Sequence, residues 1–562
     1  MFLPMTKKEM NALGWDRLDV ILVTGDSYID SPYSGTAVIG KVLADAGFRV
    51  GVIAQPDTAA DADITRLGEP ALFWGVTAGA MDSMVANYTA TKKFRNTDDM
   101  TAGGKNTRRP DRASIAYTNL IRRYFKNTAP IVLGGIEASL RRISHYDYWN
   151  NKIRRSVLFD AKADLLVYGM GEQAVLEIAR RLASGKTIDA VRGTCRIGNE
   201  IPEGFVELPS HDVVSRDKTA FEKMFETFYR NSDALRASGM AQRQDTRYLI
   251  HNPPQPRMEP ETLDRIYELD YALDAHPAHA EEGPVRALDT MRFSVTTHRG
   301  CYGECRFCAI AVHQGLAVVS RSEASILREA KKMTGHRLFR GIIQDVGGPT
   351  ANMYGIECAV KEEKGPCSAR RCLAPRVCKH LPVDHGRQIN LLRKLRALDG
   401  VKKVFIGSGI RHDMILADER NGREYLEEIV KHHVSGQLKI APEHSEDHVL
   451  KMMGKPGIQA TKAFIEAFGR ARQKTDKKLY LTFYFIAAHP GCTGQDMQRL
   501  NDFCRQTLRF TPEQVQVFTP TPSTVSTAMY WTERAWGSGK PIYVEKDEKK
   551  RMRQKTLVSR RH

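Results

Sequence analysis

The sequence has no apolar run near the roughly 20 residues that a membrane-spanning helix needs. Its start, MFLPMTKKEM, lacks the charged-then-apolar order of a secretory signal peptide. Cysteine is sparse as well, with 10 in 562 residues, which is too few for a disulfide framework. These absences exclude a membrane-spanning protein and a disulfide-rich secreted one. We therefore predict a cytoplasmic protein without a membrane partner, built from roughly two or three domains.

Acidic residues are outnumbered by basic ones, 66 to 84, which gives a net charge of +18. A basic excess fits a polyanionic partner such as RNA. The lysines and arginines are dispersed, however, and no helix-turn-helix, aromatic RNA-binding signature or zinc finger accompanies them. Nucleic acid is therefore an open alternative as a partner, and a solvated basic surface is the other.

Three of the few cysteines fall within eight residues and are spaced CxxxCxxC: Cys301, Cys305 and Cys308. Cysteine thiolates hold iron-sulfur clusters, and the glycines at 300 and 303 allow the backbone to curl around one. The same offsets would also place three core cysteines on one helix face, but residues 293–297 just before them are strand-like. Structural zinc wants a fourth protein ligand. We therefore predict an iron-sulfur cluster with one iron left open.

Residues 1–200 alternate between short apolar segments and helical patterns. Strands are predicted at 19–25, 49–54, 70–75, 130–135 and 164–169. This alternation predicts an α/β fold, a Rossmann-like domain with a mainly parallel, doubly wound sheet. Residues 201–289 are less regular and include a proline-rich stretch, so we interpret them as a bridging segment. Residues 169–174 fit GxGxxA, but the acidic residue that would bind a ribose is missing, and we do not predict NAD or FAD.

Residues 290–530 return to a regular β/α alternation. Six strands are predicted at 293–297, 341–346, 403–407, 437–441, 479–487 and 515–518. Six such units indicate a partial (β/α)6 barrel similar to a TIM barrel, whose active site lies at the carboxyl ends of its strands. His444 and His448 are four residues apart, but only His448 falls in the following helical pattern, so a zinc protease is not predicted. Residues 531–562 are predicted to form a basic C-terminal tail.

A second set of cysteines lies in a long insertion, residues 351–385, after the second barrel strand: Cys358, Cys367, Cys372 and Cys378. Four thiols over 21 residues are able to hold an auxiliary iron-sulfur cluster or a structural zinc. Such a metal would stabilise a loop that is otherwise costly to order. Free thiols are the alternative.

The CxxxCxxC motif with Phe307 before its last cysteine resembles that of the radical S-adenosylmethionine (SAM) superfamily. The resemblance implies a [4Fe-4S] cluster on Cys301, Cys305 and Cys308, with SAM bound at the open iron and cleaved to a 5'-deoxyadenosyl radical. It also implies an electron donor such as flavodoxin or ferredoxin.

The same resemblance extends to the loops after the second and third barrel strands. Gly347, Gly348 and Pro349 are similar to the superfamily's loop that holds the amino group of SAM. Ser408 and Arg411 occupy places that commonly reach the ribose or the carboxylate of SAM. By chemistry alone, glycines allow close approach of the backbone, and arginine is able to pair a carboxylate through two bonds.

The first domain resembles the cobalamin-binding-type domain that precedes the barrel in many such enzymes. Its loop reads DSPYSG at 30–35 and contains no histidine to ligate cobalt, so we do not expect cobalamin. The segments HRGCYGECRFCAIAVHQG, DVGGPTANMYG and APEHSEDHVLKMMGKPG together resemble the YgiQ family of radical SAM proteins, which often has histidine at the position of Ser31. That family implies no particular substrate. Two alternatives stay open: an RNA-modifying enzyme similar to the methylthiotransferases, and a metal-stabilised binding protein without turnover.

Overall fold

The computed structural model describes residues 1–367 and 371–559. The chain forms two compact units. The first comprises Met1–Arg257 and Arg265–Arg292, and the second comprises Met258–Asp264 and Phe293–His562. None of the helices within the described ranges is long and apolar enough to cross a membrane.

The first unit is an α/β structure. Its strands are β1 Val20–Thr24, β2 Ile29–Asp30, β3 Val50–Ala54, β4 Phe73–Thr77, β5 Ile131–Gly134, β6 His145–Asp147, β7 Lys152–Arg154, β8 Leu165–Val167, β9 Thr194–Gly198, β10 Val206–Leu208, β11 Met240–Gln244, β12 Arg247–His251 and β13 Asp274–Ala275. Its helices are α1 Lys7–Ala12, α2 Gly35–Asp45, α3 Ala62–Thr65, α4 Ser83–Asn87, α5 Ala113–Tyr124, α6 Gly135–Leu140, α7 Val157–Ala161, α8 Glu172–Ala183, α9 His211–Arg216 and α10 Lys218–Arg230. Helix α11, Pro260–Glu268, contributes residues to both units, and α12 is Leu288–Met291.

A single sheet organises this unit. Within the described residues it has nine strands in the order β10-β11-β12-β9-β8-β5-β4-β1-β3. Strands β3, β1, β4, β5 and β8 run parallel. Every residue of β1 and of the edge strand β3 is buried, as expected for parallel strands covered on both faces. The predicted doubly wound sheet is therefore confirmed.

The sheet does not stop where the sequence predicts a boundary. Strand β9 pairs antiparallel with β8 and β12, and β11 and β10 extend the edge. Residues 206–251 thus belong to the same sheet as residues 20–198, rather than to a separate bridge starting at 201. The pairing is long-range, for example between Cys195 and His251, so local sequence patterns do not reveal it.

The second unit carries the barrel. Its strands are β14 Ser294–Thr296, β15 His298–Arg299, β16 Val319–Ser320, β17 Ile342–Ile343, β18 Asp345–Gly347, β19 Lys403–Val404, β20 Gln437–Glu443, β21 Tyr480–Ala487 and β22 Gln514–Val517. Its helices are α13 Ala309–Gln314, α14 Glu323–Thr334, α15 Ala359–Lys364, α16 Gly386–Arg396, α17 His412–Ala417, α18 Gly422–Glu428, α19 Asp447–Met453, α20 Ile458–Arg472, α21 Gly494–Phe503, α22 Val525–Thr532 and α23 Glu548–Thr556.

The barrel strands follow one another in chain order. Strand β14 pairs parallel with β18, β17 with β19, and β20 with β21 and then β22. A parallel bridge between Ile410 and Ile440 joins the third strand segment to the fourth. Strands β17 and β18 are two halves of the segment predicted as one strand at 341–346. The structure therefore has the predicted partial (β/α)6 arrangement.

The described part of the predicted tail, residues 531–559, is not a simple extension. Helix α23 packs on β21 and β22, and Arg551 on this helix is fully buried. The Arg551 guanidinium donates to the backbone oxygen of Phe518 and lies over the ring of Tyr530. The Gln554 side chain accepts a hydrogen bond from Ala488 N, 3.0 Å away. The basic residues of this segment thus belong partly to the barrel structure, which corrects the prediction.

Candidate metal centre

The CxxxCxxC loop leaves the carboxyl end of the first barrel strand, β14. A short antiparallel pair, β15 with β16, starts it. Gly300 has φ of 80°, and a Cβ there would lie 1.9 Å from the backbone oxygen of Ala317. Only glycine fits that contact without moving the backbone. The first barrel strand thus delivers Cys301 to the edge of the barrel where the ligand loops meet.

The thiols of Cys301 and Cys305 lie beside the backbone of Gly303. A Cβ on Gly303 would lie 3.2 Å from Cys301 Sγ and 3.6 Å from Cys305 Sγ. Gly303 N also donates a hydrogen bond to Cys301 Sγ at 3.3 Å. A larger residue at 303 would occupy the space between these two sulfur atoms. The glycine therefore leaves a cradle open beside the thiols.

The number of thiols in this loop distinguishes the kinds of metal that it suits. Structural zinc takes four protein ligands, and the CxxxCxxC loop offers three. Cysteine thiolates also hold iron-sulfur clusters, and three of them leave one iron open. The donor set therefore fits a multi-iron cluster better than a structural zinc.

Burial favours the protonated form of the Cys301 and Cys308 thiols in the absence of metal. It raises the pKa of Cys301, and it raises the pKa of Cys308 to about 12. Metal ligation requires the thiolate, so binding at this loop releases protons. No such shift would be expected for cysteines exposed on a surface helix.

Arg411 supplies a positive charge to the thiols. Its Nη1 lies 3.8 Å from Cys305 Sγ, and its Nε and Nη2 donate to the carboxylate of Asp413 at 2.7 and 2.6 Å. Burial alone would raise the pKa of Asp413, but Arg411 lowers it to about 2. The guanidinium is thus already engaged by Asp413 and Cys305, whereas the sequence predicts that it reaches the carboxylate of SAM. The structure does not test that predicted contact.

A buried chain of side chains fixes the backbone of Arg411. Asn352 accepts from Arg411 N at 2.7 Å and donates to Arg411 O at 3.0 Å. Its Nδ2 also lies 3.1 Å from His385 Nε2, and His385 Nδ1 lies 2.7 Å from the carboxylate of Asp418. Since Nε2 accepts, Nδ1 carries the proton. Sequence reasoning missed Asn352 and His385, because no local pattern links two loops 33 residues apart.

The glycine loop after the second strand lies next to the first cysteine. Thr350 Oγ1 is 3.6 Å from Cys301 Sγ. A Cβ on Gly348 would lie 2.6 Å from Nε2 of His298, and one on Gly347 would lie 2.9 Å from Cα of Ala351. Both glycines are therefore needed for packing inside the protein, and the structure does not test their predicted role toward SAM.

Ser408 is held by an acidic residue that the sequence analysis missed. Its hydroxyl donates to the carboxylate of Asp345, which also accepts from the backbone N–H groups of Ser408 and Gly407 at 3.1 and 2.8 Å. Asp345 directly precedes the Val-Gly-Gly run, and this position beside the glycine loop is the sequence feature that could have identified it. In this arrangement the serine fixes the loop, and its predicted contact with ribose stays a prediction.

The last barrel strands close around Phe307. Its ring meets His489 edge-on, with centroids 6.3 Å apart, and His489 Nε2 lies 2.7 Å from Ser526 Oγ. Ser526 N donates to Arg306 O at 2.9 Å. Burial lowers the pKa of His489 to about 3, so its ring is neutral. The loops after β21 and β22 thus hold the cysteine loop from the opposite side.

The pair His444 and His448 does not form a metal site. His444 is buried, with Nε2 3.5 Å from Cys492 Sγ, whereas the His448 side chain is 54% exposed. His448 does approach Glu446 and Asp496, but Arg499 pairs with both of those carboxylates. Arg499 therefore neutralises the two carboxylates that a bound cation would otherwise pair with.

A barrel with three thiols in the loop after its first strand and a glycine loop after its second defines the radical SAM class of enzyme. Residues 2–294 match the Radical SAM N-terminal family, and residues 295–504 match the Radical SAM superfamily. A UPF0313 protein of Fusobacterium nucleatum is 53% identical over 559 residues, which cover 99% of this chain and 98% of that protein. One from Thermotoga maritima is 49% identical over 563 residues, covering 99% and 98%. The chain belongs to the UPF0313 family of radical SAM proteins.

A solved structure supports the fold. TsrM, a radical SAM methyltransferase of Kitasatospora setae solved with cobalamin and a [4Fe-4S] cluster bound, matches with a TM-score of 0.52 at 14% identity, covering 95% of this chain and 81% of that one. The predicted radical SAM family and fold class are confirmed. The chain is a radical SAM enzyme, and its domain implies a [4Fe-4S] cluster and SAM. The alternative of a binding protein without turnover is not supported.

Proposed function

We propose that Cys301, Cys305 and Cys308 hold the [4Fe-4S] cluster and that the enzyme uses SAM to remove a hydrogen atom from an organic substrate. When bound, the cluster supplies an open iron for SAM and the electron that cleaves it to methionine and a 5'-deoxyadenosyl radical. The observation that supports this best is the convergence of two of the thiols and the Arg411 guanidinium on the backbone of Gly303.

The residues around the thiols have distinct tasks in this proposal. Gly303 leaves room for the cluster and donates its N–H to one ligand sulfur. Arg411 offsets the negative charge of the thiolates from one side, and hydrogen bonds and charges of this kind set the potential of a cluster. Phe307 and His489 cover the other side with apolar and neutral surface, which excludes water.

Gly347, Gly348 and Pro349 are proposed to line the methionine end of SAM. The contact of Thr350 with Cys301 supports this, because it brings the glycine loop beside the thiols. Ser408 and Asp345 are proposed to keep the third loop in place beside it. The electron is proposed to come from a small carrier such as flavodoxin or ferredoxin in the cytoplasm.

Cobalamin is not part of this proposal, although TsrM binds it. In the first unit, Ser31 stands where a histidine ligand would be expected, and it is fully buried. The preceding residue, Asp30, pairs with Lys41 at 3.1 Å, and β2 pairs with β13. The side chains and backbone of this loop are thus already bonded to other parts of the first unit. Incubation with hydroxocobalamin followed by gel filtration is expected to leave no cobalt absorption with the protein, and bound cobalamin would contradict this part.

The experiment that tests the reaction is anaerobic reconstitution with iron and sulfide, followed by SAM and a strong reductant. The expected product is 5'-deoxyadenosine, measured by chromatography. Cys305→Ala is expected to abolish it. Cys504→Ala removes a buried thiol elsewhere in the same unit and is expected to retain it. Intact iron content in the wild type with no 5'-deoxyadenosine would refute the proposal.

A further inference from the structure

Three of the four cysteines in the 351–385 insertion come together in the structure. Cys358 and Cys372 are buried in one apolar cluster with Tyr302 and other side chains, and Cys378 packs against the same cluster. Cys301 of the radical SAM motif also packs against it. Cys367, in contrast, is exposed. The fold thus brings Cys358 to the same cluster as Cys372 and Cys378, although it precedes them by 14 and 20 residues.

Backbone hydrogen bonds hold these cysteines in place. Cys378 N donates to Cys372 O at 2.7 Å, so the chain between them turns back on itself. Cys358 N donates to the hydroxyl of Tyr302 at 3.2 Å. Tyr302 directly follows Cys301, so the insertion is attached to the radical SAM loop at its first cysteine.

A buried cation accompanies the thiols. The Lys361 side chain is 2% exposed, and its ammonium group donates to the carboxylate of Glu304 at 3.0 Å and to the backbone oxygen of Leu316 at 2.8 Å. The same ammonium group interacts with the Cys372 thiol. A positive charge at this point balances part of the charge of metal-bound thiolates. Burial of a lysine is costly, and here the cost is offset by Glu304 and Leu316 as well as by the Cys372 thiol.

We propose that Cys358, Cys372 and Cys378 bind a second iron-sulfur cluster. Three thiols meet at this apolar cluster, and the fourth cysteine of the insertion, Cys367, is exposed. A structural zinc takes four protein ligands, whereas an iron-sulfur cluster is held by cysteine thiolates and three of them leave one iron open, so three thiols favour a cluster over one zinc. The proposal concerns metal content alone and does not depend on the proposed reaction.

The second cluster has a structural consequence for the first. Glu304 lies between Cys301 and Cys305 with φ of 46°, an unusual value for a residue with a side chain. Its carboxylate is held by Lys361 and its backbone oxygen by Arg371, both from the insertion. A cluster that orders the insertion therefore also fixes the shape of the radical SAM loop.

The test is the iron, sulfide and zinc content of the full chain after anaerobic reconstitution. With two [4Fe-4S] clusters the wild type holds about eight irons. The triple variant C301A/C305A/C308A is expected to keep about four irons, and the further changes C358A/C372A/C378A are expected to remove those. Cys504→Ala, which loses a buried thiol outside both groups, is expected to keep the wild-type content. Iron falling to zero in the first triple variant, or zinc in place of iron, would overturn the proposal.

A measurement on the wild type guards against misfolding of the variants. The reduced protein is expected to show two electron paramagnetic resonance signals, of which SAM alters one. A single signal that SAM shifts completely would also overturn the proposal. Two clusters with no 5'-deoxyadenosine would refute the proposed reaction and leave this inference standing.

Discussion

Each unit places a loop after its first parallel strand at the carboxyl edge of a sheet, and the two loops are filled in opposite ways. In the first unit, Asp26 pairs with Arg109 at 2.5 Å and Asp30 pairs with Lys41 at 3.1 Å. In the second, the corresponding loop carries three cysteines, and two of their thiols lie beside Gly303 together with Arg411. One loop satisfies its charged groups internally, and the other holds the thiols that are proposed to bind a metal. The position that a fold reserves for a ligand is thus used only where side chains are left to bind one.

The largest expected effect comes from removing the buried arginine that contacts each loop. Arg109→Met leaves Asp26 and Asp98 buried without their shared cation, which lies 3.0 Å from Asp98. Breaking a buried pair in this way costs about 3–5 kcal/mol of unfolding free energy. Urea denaturation is expected to show this loss of unfolding free energy, and the iron content is expected to stay unchanged. A parallel loss of iron would show that the Arg109 pair also affects the metal content.

Arg411→Met is the matched change in the second unit. It strands the buried Asp413 and is expected to cost a similar free energy, about 3–5 kcal/mol, but also to lower the reduction potential of the cluster. Arg393→Met removes an exposed arginine that pairs with Glu424 and Glu428, and its expected cost is below about 1 kcal/mol. A potential unchanged in Arg411→Met would show that this cation does not act on the cluster.

The next effect compares two glycines with positive φ. Gly300→Ala combines φ of 80° with a Cβ only 1.9 Å from a backbone oxygen, whereas Gly185 has φ of 66° and nothing within 4 Å of a Cβ. Gly185→Ala is expected to cost about 1 kcal/mol, and Gly300→Ala about 3 kcal/mol or more, together with lost iron. Thermal unfolding and iron analysis check both. Equal losses of unfolding free energy would show that the backbone of the cysteine loop shifts to accommodate the added methyl group.

The smallest effect is on pH dependence. Burial lowers the pKa of His145 in the first unit and of His433 in the second to about 4. In the unfolded chain histidine titrates near 6.5, so each of these residues favours unfolding as the pH falls from about 6.5 to about 4, by up to about 1.4 kcal/mol per pH unit. His433→Gln is expected to reduce the slope of unfolding free energy against pH by that amount. An unchanged slope would show that His433 is protonated in the folded state.

The sequence was sufficient for features that depend on neighbours along the chain. The spacing of Cys301, Cys305 and Cys308 and the six barrel strands follow from local patterns, and the structure places the loops named after those strands at one edge. Element ends were less exact: the strand predicted at 70–75 lies at Phe73–Thr77.

Features that depend on distant partners were not predictable in this way. The pairing of β9 with β12 joins residues more than 50 positions apart, and a single sequence gives no register for it. The sequence also does not show that Asp413 and Cys305 contact Arg411, whose predicted contact with SAM stays a prediction. A buried Arg551 is equally invisible in a run of basic residues, because burial is decided by the barrel that it covers.

Helix α23 also sets an order of events during synthesis. The bond from Ala488 N to Gln554 and the bond from Arg551 to Phe518 O cannot form until residue 554 has left the ribosome. The sheet of the first unit is complete at His251, about 300 residues earlier on the ribosome. The cysteine loop therefore emerges while the barrel around it still lacks its last hydrogen bonds.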